Sequence, residues 1–368
     1  MKYRIALLLA GLGAASPVGA AVFCAANADE LTAALAAAQL DTTASPEIRV
    51  HRGHYMAPAA GWHIDIDVRG ITVAGGYDDG CTTASADAAL TVLDGGFSTR
   101  PLTIDTSFAV QPNPTTHDIT VRGLTFANGL GDRVGGLKIS DAGPITSGSI
   151  LVEGNIFRNN SATVYQQDNS AGGLLAATDG ADGSGNVFLI VRGNLFVGNE
   201  APDGAAAMLF SNNAIDVSNN TVTRNQSFEP SVLIRSAFAS FTFSGINYSN
   251  NIFWENNPDA LADTFDLRAD NPFGASHAAD LFANDLQAVH GTPRTDLGNL
   301  AVDPLFADVL QGDFRLASAS PLIDAGLDTP NGGLTGSDLA GAPRVQGVHV
   351  DIGAYESAPE FIFQNGFE

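Results

Sequence analysis

Gly154-Asn155-Ile156-Phe157-Arg158-Asn159-Asn160, or GNIFRNN, decides how this chain folds. An apolar pair sits between Gly or Asn residues on both sides. Helix ends are asymmetric, with side-chain caps at one terminus and glycine at the other, so a helix does not explain the pattern. A lone hairpin gives no reason to repeat it, and this chain does repeat it. Gly123 opens GLTFANG, Gly193 opens GNLFVGN, Asn219 opens NNTVTRN and Asn250 opens NNIFWEN, at anchor spacings of 31, 39, 26 and 31 residues. Upstream, Gly70 opens the similar GITVAGG. Three residues after the five anchors come Phe126, Phe157, Phe196, Val222 and Phe253. Asn155, Asn194, Asn220 and Asn251 follow the last four anchors directly, and Asn160, Asn199, Asn225 and Asn256 stand six residues after them.

A variable period of roughly 20 to 40 residues, built on short Val, Ile and Phe-rich runs, predicts a solenoid of parallel strands. Stacked coils about 4.8 Å apart place equivalent residues above one another. The Phe positions then form a stacked core. Asn155, Asn194, Asn220 and Asn251 form a corner ladder, where Asn and Gly tolerate left-handed backbone and amides bond from coil to coil. The residue before each anchor, Arg122, Glu153, Arg192 or Ser218, stacks as an outer charge ladder. Gly135-Gly136-Leu137, Gly172-Gly173-Leu174 and Gly204-Ala205-Ala206 read as openings of the next wall. The expected fold is a single all-β, right-handed parallel β-helix. Residues 21–60 form an N-terminal cap, with a helix in NADELTAALAAAQ started by Asn27 or Asp29. Coils fill 61–257, a loop-rich C-terminal section of coils 258–357, and an aromatic tail 358–368.

Residues 1–20 read as a signal peptide: Lys2 and Arg4, an apolar run to Ala15, then Val18-Gly19-Ala20. The expected location is therefore secreted or at the cell surface, with no later stretch long enough to cross a membrane. The chain has two cysteines, Cys24 and Cys81. In an exported chain they read as one disulfide, the alternative being two unrelated buried thiols. Removing Lys2 and Arg4 takes the formal charge of −23 to −25. Such a field argues against nucleic acid as a partner. It also disfavours uronate polysaccharides unless a cation or a local basic patch intervenes.

The motifs taken together resemble secreted β-helix proteins of the pectate-lyase-like superfold, and among them the choice-of-anchor Q domain proteins. The resemblance rests on Cys24 with ELTAAL, VAGGYDDGC at Val73–Cys81, TVLDGG at Thr91–Gly96, and VRGLTFANG at Val121–Gly129. The C-terminal DPLF, GDFRL, SPLIDAG, PRV and DIGAYE complete it. It covers nearly the whole mature chain and implies a bacterial secreted or surface protein. It does not imply an enzyme, because this fold carries lyases, hydrolases and adhesins alike.

Chemistry must come from a site. A lyase base is usually Lys or Arg, and Lys138 is the only lysine after Lys2, so it is the lyase candidate. A hydrolase needs carboxylates on neighbouring coils. The one Asp-Asp pair, Asp78-Asp79, lies in a turn before Cys81. The loop TDGADGSGN offers Asp179, Asp182 and Asn186 to calcium, without the bidentate Glu of an EF-hand. No other cofactor is expected. Asp303, Asp313, Asp324, Asp338 and Asp351 read as turn and cap residues. Trp62, Trp254 and Tyr248 are candidates to stack on sugar rings. The leading expectation is a non-catalytic exported protein that binds glycan or matrix. The second is a polysaccharide lyase or glycoside hydrolase.

Overall fold

The structure, a computed structural model, describes residues 20–41, 45–66, 70–106, 116–141, 147–164, 170–178, 187–228, 235–242, 244–257, 264–271 and 274–358. It is a right-handed parallel β-helix. Among the described residues, wall 1 holds ten strands, from Val22–Ala25 and Glu47–His51 to Thr295–Leu297. Wall 2 holds eight, from Gly53–Met56 to Asp285–Leu286, and wall 3 eight, from Trp62–Asp65 to Val289–His290. A short fourth ladder, Leu130–Gly131 to Gln226–Ser227, links walls 2 and 3 in the middle coils.

GNIFRNN is a corner, a wall-2 strand and a second corner. Phe157 pairs in register with Phe126 and Phe196, and Phe196 with Val222, which pairs with Phe253. The rings of Phe126, Phe157 and Phe196 stack face to face, with centroids 5.2 and 4.7 Å apart. All five side chains are fully buried. The anchors Gly123, Gly154, Gly193, Asn219 and Asn250 all have left-handed φ, between 53° and 66°. Only Gly, and less readily Asn, enters that region at low cost.

The residue after the anchor carries the ladder. The Asn155 backbone N–H and side-chain amide both donate to Asn194 Oδ1, at 2.9 and 3.1 Å. Asn194, Asn220 and Asn251 repeat this toward Asn220, Asn251 and Asn284. Each side-chain amide also donates to a carbonyl of the preceding coil, as Asn194 does to Val152. A second ladder, Asn160, Asn199, Asn225 and Asn256, follows the same rule at the next corner. Backbone donors that a tight bend would leave buried and unpaired are thereby satisfied.

The N-terminal helix α1 (Ala28–Leu40) starts at Asn27, whose side chain accepts from the Glu30 N–H, while Glu30 accepts from the Ala26 N–H. This reciprocal cap fixes the first turn. Leu31, Ala34, Leu35 and Ala38 seal the open end of the core. Coils begin inside the expected cap region, since Glu47–His51 and Gly53–Met56 already belong to walls 1 and 2.

Other sequence readings need adjustment. GITVAGG is a wall-1 strand, Val73 pairing with Val121, and the wall-2 counterpart of GLTFANG is Thr91–Asp94. Leu174 pairs with Ala207 rather than Ala206, so the small-residue series shifts by one. The first Asn ladder does not end at Asn251: within the C-terminal coils Asn284 and Asn299 extend it, and Leu286 stacks on Phe253.

Beyond Val302 the chain turns back along the outside of the stack as a strap. Phe314, Leu339 and Ala354 pack with Leu195 and Ala88, and Leu322 and Ile352 pack with Ile252. Ile156 and Val197 lie partly buried under the first of these clusters. This explains why GNIFRNN carries two apolar residues: Phe157 faces the core and Ile156 faces the strap. Each such side chain removed from water contributes about 1.5–3 kcal/mol.

The anchors change where the strap docks. Asn250 accepts from the Leu327 N–H at 2.7 Å and donates to the Leu327 carbonyl at 2.9 Å. Asn219 donates to the Asp351 carbonyl at 3.3 Å. The strap is closed by a buried polar hub. Arg344 Nη2 donates to the carbonyls of Asp351 and Gly353, at 2.9 and 2.8 Å, and Nη1 lies 3.8 Å from Glu356. Asp338 accepts from the N–H groups of Ala340, Ala342 and Glu356. Asp351 accepts from those of Asp324 and Ser357.

Candidate functional site

The outer face of wall 3 brings together the chemistry the sequence leaves scattered. Alternation along Leu137–Asp141 sends Leu137 and Ile139 into the core and Lys138 outward. Its ammonium lies 2.8 Å from Asp105 Oδ1. The other Asp105 oxygen lies 3.1 Å from His63 Nε2. His63 and Lys138 both stack on Thr103, so the trio spans three coils. Half-buried Arg100 adds another cation nearby: burial pulls its pKa down, and Asp105 and Asp132 offset part of that. Neither Asp105 nor His63 is singled out by the sequence pattern. Only the coil register places them beside Lys138.

Further along the outer side of wall 3, Leu175, Met208, Ala239 and Phe241 form a second, buried apolar cluster. Phe210, partly exposed, stacks on Phe241 with centroids 5.1 Å apart. The Arg268 guanidinium sits over the Phe241 ring at 5.2 Å. Arg268 is itself bound to Asp270, which also meets His290 at 3.2 Å.

The second candidate is a hollow of about 650 Å³ at the end of the second Asn ladder, lined by Arg224, Glu255, Asn256, Asp266 and Gln287. Burial raises the Asp266 carboxyl to about 7, and nearby Asp285 adds to that. Burial likewise raises Asp285 to about 6. Asp266 accepts from the Asn256 N–H at 3.0 Å and from the Ala288 N–H at 2.9 Å. It therefore ends the ladder by supplying the acceptor that the last Asn needs. At the end of the first ladder the exposed Asp296 accepts from the Asn299 side-chain amide at 2.7 Å.

A third recess, about 290 Å³, lies between the Gly123 and Gly154 corner and strap residues Thr335–Asp338. Its outer charges are partly paired: Arg192 bonds Glu153 at 2.8 and 3.0 Å, and Arg122 lies 3.7 Å from Glu47.

The proposed sugar-stacking residues are placed elsewhere. Trp62 is buried under the N-terminal helix, its indole N–H donating to Thr32 at 3.0 Å. Tyr248 lies in the core, bonded to Ser240 at 2.7 Å, and burial raises its phenol well above the usual range. Trp254 does point away from the core, but packs against the strap cluster around Ile252. Cys24 and Cys81 form a disulfide. Asp78 accepts from the Thr82 and Thr83 N–H groups, which hold its carboxyl below the ordinary value. Asp303, Asp313 and Asp324 each accept from a nearby backbone N–H. The calcium candidates Asp179, Asp182 and Asn186 lie outside the described residues, as do residues 1–19 and the end of the tail.

No family model matches the chain, and no curated protein does.

Proposed function

We propose that the protein is an exported, non-catalytic β-helix of the cell surface or extracellular space that holds glycan or matrix on the outer face of wall 3. The observation that carries this reading is the engagement of Lys138, the one lysine of the mature chain, with Asp105 rather than with an open cleft. The other acid–base candidates point the same way. Asp266 faces two backbone donors, and Glu356 accepts from the N–H groups of Gln346 and Asp351 inside the strap. Support for export comes from the signal-like first twenty residues and the Cys24–Cys81 disulfide. Among the described residues no helix is long and apolar enough to cross a membrane. The likeness of the C-terminal motifs to choice-of-anchor Q domain proteins supports the same setting. With Trp62 and Tyr248 buried, a partly exposed ring available on this face is Phe210, stacked on Phe241, which also carries the Arg268 guanidinium over its ring.

The test is binding of the mature protein to immobilised neutral and acidic polysaccharides and to isolated cell envelopes. Retention that falls at least ten-fold in Phe210→Ala and Arg268→Ala supports the assignment. Retention unchanged in both variants moves the contact to another face. The hydrolase reading draws on one observation, the raised carboxyl of Asp266 beside Glu255. Loss of any measured glycan cleavage in Asp266→Asn would favour it.

A further inference from the structure

The disulfide has an unusual neighbour. His51 is 8% exposed, and its Nε2 lies 3.1 Å from Cys81 Sγ. Cys24 Sγ, Cys81 Sγ and a ring nitrogen of His51 all lie within 4.8 Å of one another. Three separate pieces of chain supply them. Cys24 sits on the first wall-1 strand and His51 at the end of the next. Cys81 comes from the turn after the following wall-1 strand, Ile71–Tyr77, and holds a left-handed φ of 55°. That backbone is uncommon for cysteine, and it is held here by the Cys81 N–H bond to the Asp78 carbonyl at 2.9 Å. The other side of the imidazole faces Asp79, whose Oδ1 lies 4.0 Å from Nδ1.

A disulfide alone needs no imidazole aimed at its sulfur. Two thiolates and an imidazole are the donor set preferred by zinc and similar thiophilic cations. A carboxylate on the far side of the ring is the usual outer partner of a metal-bound histidine. The geometry points to a redox-gated site for a zinc-class divalent cation, formed by Cys24, Cys81 and His51 when the disulfide is opened. The backbone span suits both states. The Cα atoms of the cysteines are 6.2 Å apart. Tetrahedral ligands about 2.3 Å from a metal stand roughly 3.8 Å apart, which requires only that the sulfurs part. A water would complete the coordination, with Asp79 behind the ring at Nδ1 and the adjacent Asp78 adding negative charge.

Opening uses an external dithiol. Its thiolate bonds to Cys24 Sγ, which belongs to an exposed residue, and Cys81 leaves as a thiolate beside His51. The second thiol of the reagent then displaces Cys24 and closes the reagent's own disulfide. Both cysteine thiols release a proton as the cation binds, so binding should weaken at low pH. Reoxidation expels the cation. The inference is independent of the glycan reading, since it concerns the first coils at wall 1 and not the outer face of wall 3.

The experiment uses the full mature chain, reduced and freed of reductant under nitrogen, and titrated with Co²⁺ and then Zn²⁺. One cobalt per chain is expected, with sulfur-to-cobalt charge-transfer absorption that zinc abolishes. Zinc should also protect both wild-type thiols from alkylation, which needs no variant. His51→Ala, shown to be folded in its oxidised form by circular dichroism, should bind zinc roughly ten-fold more weakly or worse. A reduced wild type that binds zinc no better than the disulfide form would overturn the proposal. So would a folded His51→Ala variant with wild-type affinity.

Discussion

The coil stack and the strap solve the same problem in different ways. Both must bury irregular backbone without leaving donors unpaired. The stack does so by repetition, with one Asn per coil at each of two corners, bonded to the next Asn through distances between 2.8 and 3.1 Å. The strap uses single-copy charged residues, Arg344, Asp338, Asp351 and Glu356, each wired to particular backbone groups. Repetition spreads an error over many equivalent contacts. A hub concentrates it.

The largest effects should separate the two regions. Phe157→Ala removes a ring from the middle of the core stack and should cost about 3–5 kcal/mol in global stability. Arg344→Ala leaves Glu356 and two strap carbonyls without their partner, at a similar cost of about 3–5 kcal/mol. The difference lies in what opens. Limited proteolysis should cut the strap first in Arg344→Ala and should find no early strap cleavage in Phe157→Ala. A strap equally resistant in both would dissolve the distinction. Next in size, Asn194→Ala leaves the Asn155 N–H without its acceptor, for about 1–3 kcal/mol in chemical denaturation. A neutral result would mean that water replaces the rung.

Acid–base behaviour sharpens the comparison at smaller scale. Burial raises Asp266 and Glu356 to about 7 and Asp285 to about 6. A carboxyl raised on folding contributes stability below its unfolded value of about 4, and that contribution is lost as pH climbs through the folded value. Melting temperature should therefore fall as pH rises from about 4 to about 7. Below about pH 4 it should fall again, as carboxyls such as Asp280, held low by Arg294, take up protons. Glu356→Gln should flatten the upper limb for strap opening and Asp266→Asn for the stack. The smallest effect is expected at Ala283, an anchor position with a left-handed φ of 50°. Ala283→Gly should stabilise by up to about 1 kcal/mol, read as a small rise in melting temperature.

Repetition also governs what can be read from sequence. Phe126, Phe157, Phe196 and the Asn series are legible because each coil meets the same constraints. The continuation of the Asn ladder past Asn251 is hidden because Ala283 replaces Gly or Asn at the anchor, although Gly298-Asn299 keeps the signature. Trp62 and Tyr248 were recoverable: each is two residues from an inward Ile, Ile64 or Ile246, on the same side of its strand. The strap was not. Its partners are more than a hundred residues distant in some cases, such as Ala354 with Thr221 at 133 residues, and no periodicity marks them. The trio of His63, Asp105 and Lys138 fails for a related reason. It depends on the register of three coils, and its residues fall outside the repeated corner.

Lys138 is paired with Asp105, and Asp266 and Glu356 each face two backbone donors, and the functional reading depends on that. Incubation of the mature protein with alginate, pectate and chondroitin, with and without calcium, tests it directly. Unsaturated-product absorbance and reducing ends are followed together. No sustained turnover of any of the three is expected, in either condition. Turnover abolished by Lys138→Ala would contradict it and make the Lys138–Asp105–His63 trio an active site.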